Sequence, residues 1–257
     1  MQGLYAVYRK EIGHYFVSPT AYVIVGAFLL LCAFFFNYDV QQAVVQSMQA
    51  QMQGMGGPMD LPGEVMQAFF MITATLLLFV TPILTMGVYA EERKRGTMEL
   101  LMTSPITEVQ IVLGKFFAAL TLLAAMLLPT AAYIAFLYFC SDPHPPVKVI
   151  LAGYLGVLLL GSCLLALGTL ISSLTENQLI AAVLSFGAFL AVWIIDILGG
   201  GGGRSATVLN YFSVIRHYED FARGVIDTSS LIYYCSFIAF CVFLTVRSVD
   251  SMRWRRA

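Results

Sequence analysis

Charge is what this sequence has least of. Asp, Glu, Lys and Arg supply 11% of its 257 residues, against 59% apolar ones, where soluble domains carry about a quarter charged residues. That balance excludes an ordinary water-soluble domain. Nucleotide chemistry lacks its signature too, because no G-x-x-x-x-G-K-[ST] run is present to cradle phosphates as a P-loop does. HExxH, GxSxG and paired-carboxylate arrangements are also missing, which removes the common hydrolase sites. Five cysteines without a CxxC pair argue against a disulfide framework or a zinc site. The expectation is a non-enzymatic chain with no catalytic, cofactor-binding or metal-binding residues.

What the chain has instead is long apolar runs. A bilayer core of about 30 Å takes roughly 20 apolar residues in a helix. Six segments qualify, approximately 21–36, 65–89, 116–139, 149–171, 179–197 and 231–246, the short first and last being extended by flanking Tyr and Trp at the interface. The first follows a polar, tyrosine-rich leader with no small-residue cleavage site and reads as a retained span. Little is left over for anything else, so 1–257 reads as a single all-α membrane domain of six spans. The central parts of the spans hold no Asp, Glu, Lys, Arg or His. Asp196, near the end of the fifth, reads as a wetted helix-end residue. Ion-coupled carriers normally need ionisable groups at mid-membrane. The chain therefore shows no motor of its own.

An even number of spans puts both termini on one side. That side would hold Arg9, Lys10, Arg93, Lys94, Arg95, Lys115, Arg247, Arg253, Arg255 and Arg256, ten of the fourteen basic residues. Lys148, Arg204, Arg216 and Arg223 fall on the other, and 37–64 contains no Lys or Arg. The positive-inside rule makes the first side the cytoplasm.

In the leader, 1–18, Leu4, Tyr5, Tyr8, Ile12, Tyr15 and Phe16 cover about 120° of a helical wheel. Arg9, Lys10, Gly13 and His14 lie opposite, with Glu11 at the edge. This predicts an amphipathic helix in the cytoplasmic interface, or else one packed on protein, broken at Ser18-Pro19. The stretch 37–64 reads as an external loop rich in Gln and Met. A helix there would align Met48, Met52, Met55 and Met59; thioethers suit Cu(I), although Met also serves as flexible filler. Thr175 or Asn177 is available to cap the fifth span. Glycines 199–203 read as a joint. In 199–230, Tyr211, Phe212, Val214, Ile215, Tyr218, Phe221, Ala222, Val225 and Ile226 alternate with Arg216, His217, Glu219, Asp220 and Arg223. That segment is too short and charged to span, and predicts an external interfacial or re-entrant helix.

The strongest concentration of charge lies at 91–106. Six charges occur within nine residues, from Glu91 to Glu99. Pro82 can kink the span that leads to it, and Gly96 allows a tight turn. Thr97 to Met102 can form a short helix with Leu100 and Leu101 exposed. Ser104 can then N-cap the next helix, with Pro105 as its first residue and Glu108 in its first turn. Such a lever can enter a groove on a soluble partner; a purely topological charge cluster is the competing reading.

The pattern Glu-Glu-Arg-x-x-Gly-Thr-x-Glu-Leu-Leu-x-Thr-x-Pro-Ile at 91–106 resembles the signature of ABC-2 type transporter permeases. The leader ending at Ser18-Pro19 and the segment Tyr218-Glu219-Asp220-Phe221-Ala222-Arg223-Gly224-Val225-Ile226-Asp227 resemble the gliding-motility (GldF-like) branch and its relatives linked to copper and nitrous-oxide reductase maturation. The resemblance implies a two-permease assembly, with a second copy or a homologous subunit, worked by two cytoplasmic ABC ATPase subunits that bind ATP and Mg. An accessory subunit is a further expected partner, and nucleic acid is not. It implies an elbow helix at 1–18 and ATPase coupling through Glu91, Glu92, Arg93, Gly96, Thr97, Glu99, Leu100, Leu101, Thr103 and Pro105. It also implies short external helices near the exit, with Tyr211, His217, Glu219, Asp220, Phe221 and Arg223 as gate candidates. The expected function is ATP-driven export or force transmission across a bacterial inner membrane, with an amphiphilic or lipid-linked cargo. A copper-linked permease, an ion-coupled carrier and a non-transporting anchor are the alternatives.

Overall fold

Apolar sequence free of breakers becomes helix here, and each break falls where a proline, a glycine or a capping residue stands. The computed structural model describes residues 2–52, 61–102, 105–142, 144–199 and 213–254, with the backbone alone at residues 2, 99, 100, 102, 195–199, 253 and 254. The helices are α1 (Gln2–Val17), α2 (Pro19–Met52), α3 (Leu61–Thr85), α4 (Ala90–Arg95), α5 (Thr97–Met102), α6 (Glu108–Leu127), α7 (Ala131–Cys140), α8 (Val147–Leu174), α9 (Gln178–Gly199), α10 (Val214–Ala222) and α11 (Thr228–Trp254). No strand occurs among the described residues.

Five helical stretches among these residues are long and apolar enough to cross a bilayer: Pro19–Met52, Leu61–Arg95, Glu108–Cys140, Val147–Leu174 and Thr228–Met252. The span expected at 179–197 falls on α9, whose apolar stretch Gln178–Ile194 is shorter.

Two expectations need correction. The stretch after residue 36 is not a loop from its start, because α2 runs unbroken to Met52. Its Gln, Ala, Val and Met residues suit a helix and no Gly or Pro interrupts them before Gly54. The helix therefore continues about 24 Å beyond Phe36. Met48 and Met52 lie exposed on it, while Met55 and Met59 fall outside the described residues. The third span, expected as one helix, is broken by a 3₁₀ turn at Leu128–Thr130. Pro129 has no N–H to donate, and the Thr130 hydroxyl, giving its proton to the Leu127 carbonyl at 2.6 Å, closes the turn.

α8 is the axis of the bundle, packed against α3, α6, α9, α10 and α11. Its glycines make this possible by removing side chains at the crossings, as small residues do between membrane helices. A Cβ at Gly153 would overlap the Phe70 ring, one at Gly156 would sit 2.5 Å from Phe221, one at Gly161 2.5 Å from Leu123, and one at Gly168 would overlap Thr85. α2 packs mainly on α3, and α1 lies along α6.

Candidate functional site

The charged run forms two short helices at the end of the bundle where α8 finishes. After Pro82 the α3 helix stops at Thr85, and α4 begins after four intervening residues, at Ala90. Glu91 and Glu92 occupy the first turn of α4 and Arg93, Lys94 and Arg95 its last. Acid at the N-terminus and base at the C-terminus suit the helix dipole. Gly96 ends α4 at φ 71°, a left-handed position that disfavours a Cβ, and α5 follows directly, as its sequence predicts.

α4 is tied to four other helices. Lys115, in α6, is buried and points its ammonium at Glu11 Oε1 of α1 (3.0 Å) and Glu92 Oε2 of α4 (2.9 Å). It also donates to the Val88 carbonyl at 2.9 Å and lies 5.4 Å from the centre of the Tyr89 ring. Lys10 donates to the other Glu92 oxygen at 3.1 Å. Burial pushes the Glu92 carboxyl up, but Lys115 and then Lys10 pull it further the other way, leaving it below the usual carboxylate range. Two carboxylates and one carbonyl around one ammonium give the buried charge the partners it needs.

On its other flank, α4 is bonded to the end of α8. Ser172 Oγ accepts from the backbone N–H groups of Tyr89 (3.2 Å) and Ala90 (3.3 Å) and donates to the Met86 carbonyl at 3.1 Å. Arg93 donates to the Ser173 carbonyl at 2.9 Å and to Glu176 at 2.8 Å. Gln178, at the start of α9, donates to Glu91 at 2.8 Å, and Glu91 also pairs with Arg95. Asn177 accepts from Leu179 N–H at 2.9 Å, the local cap its position suggested. Beneath α5, Met98 is buried with Val88, Tyr89, Val112 and Val249.

Several local expectations change. Leu101 is half-buried against the Met98 cluster instead of exposed, because α5 lies back on α6 and α11. The side chains of Glu99 and Leu100, and Thr103 and Ser104 entirely, lie outside the described residues. Pro105 is exposed before α6 and does not begin it. Thr107 is the N-cap: its hydroxyl accepts from Gln110 N–H at 3.4 Å while Gln110 Oε1 accepts from Thr107 N–H at 3.3 Å, a reciprocal box that satisfies two orphan donors. Thr97 sits at the start of α5 with its hydroxyl 3.4 Å from the Glu92 carbonyl.

Sequence reasoning counted Lys115 as one more charge setting topology and missed that it organises the site. It also missed Ser172, Ser173, Glu176 and Gln178. The available signal was a lone lysine set into the apolar run of α6. Glu11, placed at the edge of the α1 wheel, is buried there with Val7, so the packed face of α1 is centred on Val7 and Glu11. Tyr5 and Phe16 of the apolar stripe stay exposed.

At the other end of α8, about 24 Å away along its axis, lies α10. Ser213 caps it by accepting from Arg216 N–H at 3.3 Å. Val214, Ile215, Tyr218, Phe221 and Ala222 are buried, whereas Val225 and Ile226, grouped with them by sequence, follow the break and are exposed. Tyr218 OH donates to the Phe70 carbonyl at 2.6 Å and Tyr234 OH to that of Val214 at 2.7 Å. His217 Nδ1 is 2.9 Å from Ser230 Oγ, and its ring stacks on Tyr233 at 4.4 Å. Glu219 pairs with Arg223 at 3.4 Å. Asp220 is half-buried and its carbonyl accepts from Val225 N–H at 2.8 Å. Tyr211 lies outside the described residues. Of the gate candidates, Phe221 is thus a packing residue against Gly156, and the charged ones form the outer face.

No curated protein matches the chain. Residues 5–246 match the sequence model of the family described as ABC-2 family transporter protein, a stretch that takes in α4, α5, the Lys115 node and α10. With several helices able to cross a bilayer and nearly its whole length matched, the chain is a multi-pass membrane protein that belongs to the ABC-2 transporter family.

Proposed function

We propose that this chain is the permease subunit through which ATP hydrolysis on separate cytoplasmic ABC ATPases drives export, or transmits force, across a bacterial inner membrane. ABC-2 permeases generally work with such partners. In this reading the protein has six spans, α9 being the fifth, both termini and α4–α5 are cytoplasmic, and two ATPases act on two permease chains. ATP and Mg bind the ATPases alone. The cargo is amphiphilic or lipid-linked, since the interior of the spans offers an ion few charged partners. The motifs at 91–106 and 218–227 favour the gliding-motility-like branch.

One observation carries the coupling role. α4 is bonded at once to α1 through Lys10, to α6 through Lys115, which also holds Glu11 of α1, to α8 through Ser172 and Ser173, and to α9 through Gln178. A push on α5 passes across the Gly96 turn into α4 and from there to those helices together. A charge cluster serving topology alone needs no buried lysine.

The test is co-expression with the partner ATPase, reading co-purification and stimulated ATP hydrolysis. Gly96→Val and Leu100→Asp are expected to abolish stimulation while the chain still inserts in the membrane. Intact binding and stimulation in both would leave the island a topological anchor. Transport by the chain alone in liposomes would make it a partner-independent carrier.

A further inference from the structure

Between the α1–α2 junction and the ends of α3 and α4 opens a cleft of about 730 Å³. We propose that it binds a single zwitterionic aminophospholipid, with the headgroup on Glu91 and Arg95 and an acyl chain along Ile24 and Ile83.

Two chemistries line the cleft. Glu91, Arg95, His14 and Gln178 are among its polar lining residues, and Val23, Ile24, Ile83 and Leu84 among its apolar ones. Val23 is 70% exposed and Ile83 45%, so the wall faces outward where lipid would surround a spanning bundle. A polar head joined to an apolar tail is the ligand shape this division selects, and the volume falls within the usual range for small-molecule sites of about 300–1,000 Å³.

Charge selects the headgroup. The carboxylate of Glu11 is already taken up by Lys115 at 3.0 Å. Glu91 and Arg95 remain, one helical turn apart, paired with each other at side-chain exposures of 30% and 67%. Such an exposed i,i+4 pair is weak and its exchange costs little. A phosphoethanolamine group carries one charge of each sign, so its phosphate can take Arg95 and its ammonium Glu91. Gln178 holds Glu91 from α9 at 2.8 Å, keeping the carboxylate in place when Arg95 turns to the phosphate. A purely anionic headgroup would leave Glu91 unpaired beside its own charge.

Binding is read on the purified full chain in nanodiscs without any ATPase, so its outcome is independent of the coupling role. A photoactivatable phosphatidylethanolamine is cross-linked and its adducts mapped by peptide mass spectrometry. Adducts are expected to concentrate in peptides bearing residues 18–24 and 83–95, to be displaced by unlabelled phosphatidylethanolamine, and to resist phosphatidylglycerol and soluble glycerophosphoethanolamine. Val23→Trp with Ile83→Trp, both at outward-facing positions, should fill the cleft and remove them. Glu91→Gln, which keeps the volume, should erase the preference over phosphatidylglycerol. Equal displacement by phosphatidylglycerol would overturn the headgroup assignment. Displacement by the soluble headgroup would overturn the acyl-chain contact. Adducts that survive the tryptophan pair, or that spread evenly to exposed positions such as Val183 and Phe240, would overturn the site.

Discussion

The two ends of α8 hold a short amphipathic helix each, by opposite means. At one end α4 is fastened by charge: a buried lysine between two carboxylates, and an arginine across to the α8–α9 turn. At the other, α10 is fastened by shape: Phe221 pressed on Gly156, and tyrosine hydroxyls bonded to backbone carbonyls. An ion-paired attachment can be remade with new partners after a movement, because its geometry is set by long side chains. A glycine-close packing has one good arrangement and loses its contacts if displaced. On the proposed reading, the charged end is the one that moves and re-forms, and the packed end stays in register with α8.

The largest expected effect comes from opening the charged end. Lys115→Ala leaves the buried Glu11 and half-buried Glu92 with only the exposed Lys10 as counter-ion and should cost about 3 kcal/mol, seen as an earlier midpoint in thermal unfolding of the detergent-solubilised chain. Replacing the set together, Lys115→Met with Glu11→Gln and Glu92→Gln, should recover most of that loss. If the triple variant is no better than the single one, the node is not an electrostatic unit.

Next comes the packed end. Gly156→Val drives a side chain into Phe221, and overpacking of this kind costs about 1–3 kcal/mol. Hydrogen exchange should show α10 loosening while α4 stays protected. Equal loosening of both ends would erase the distinction between them.

Smaller still is Tyr218→Phe, which leaves the Phe70 carbonyl without its side-chain donor. About 1 kcal/mol is expected, independent of salt. Tyr89→Phe is the least disturbing. The Tyr89 hydroxyl is buried and has no hydrogen-bond partner among the described residues, so its removal should be neutral or slightly stabilising in the same thermal assay. A clear loss would mean that Tyr89 OH does have a partner.

pH sharpens the contrast. The Glu92 carboxyl is held below its usual range, so its contribution is present above the unfolded-state pKa and fades as pH falls through the folded one. Acid should therefore loosen α4 ahead of α10 in hydrogen exchange. Simultaneous release would remove Glu92 as the sensitive group.

Much of the architecture was legible because it follows from local rules. Apolar runs of spanning length, a proline before the break of α3, a glycine between α4 and α5 and the periodicity of α10 are statements about neighbours in sequence. The misplaced cap shows the limit of such rules: Ser104 and Thr107 are both good N-caps, and Gln110 three residues after Thr107 chose between them. The run to Met52 was missed because a Gln- and Met-rich stretch was read by composition as loop, though nothing in it breaks a helix.

The sequence by itself determined that the chain lives in a membrane, roughly where most of its helices lie, and that 91–106 is its most concentrated polar feature. Tertiary structure alone decided what that feature is attached to. Lys115 lies 104 residues from Glu11 and well over a turn of sequence from Glu92, and no periodicity connects positions so far apart. Only the crossing of α1, α4 and α6 brings the charges together. Burial there makes them matter, because an ammonium taken out of water must find its carboxylates within the fold.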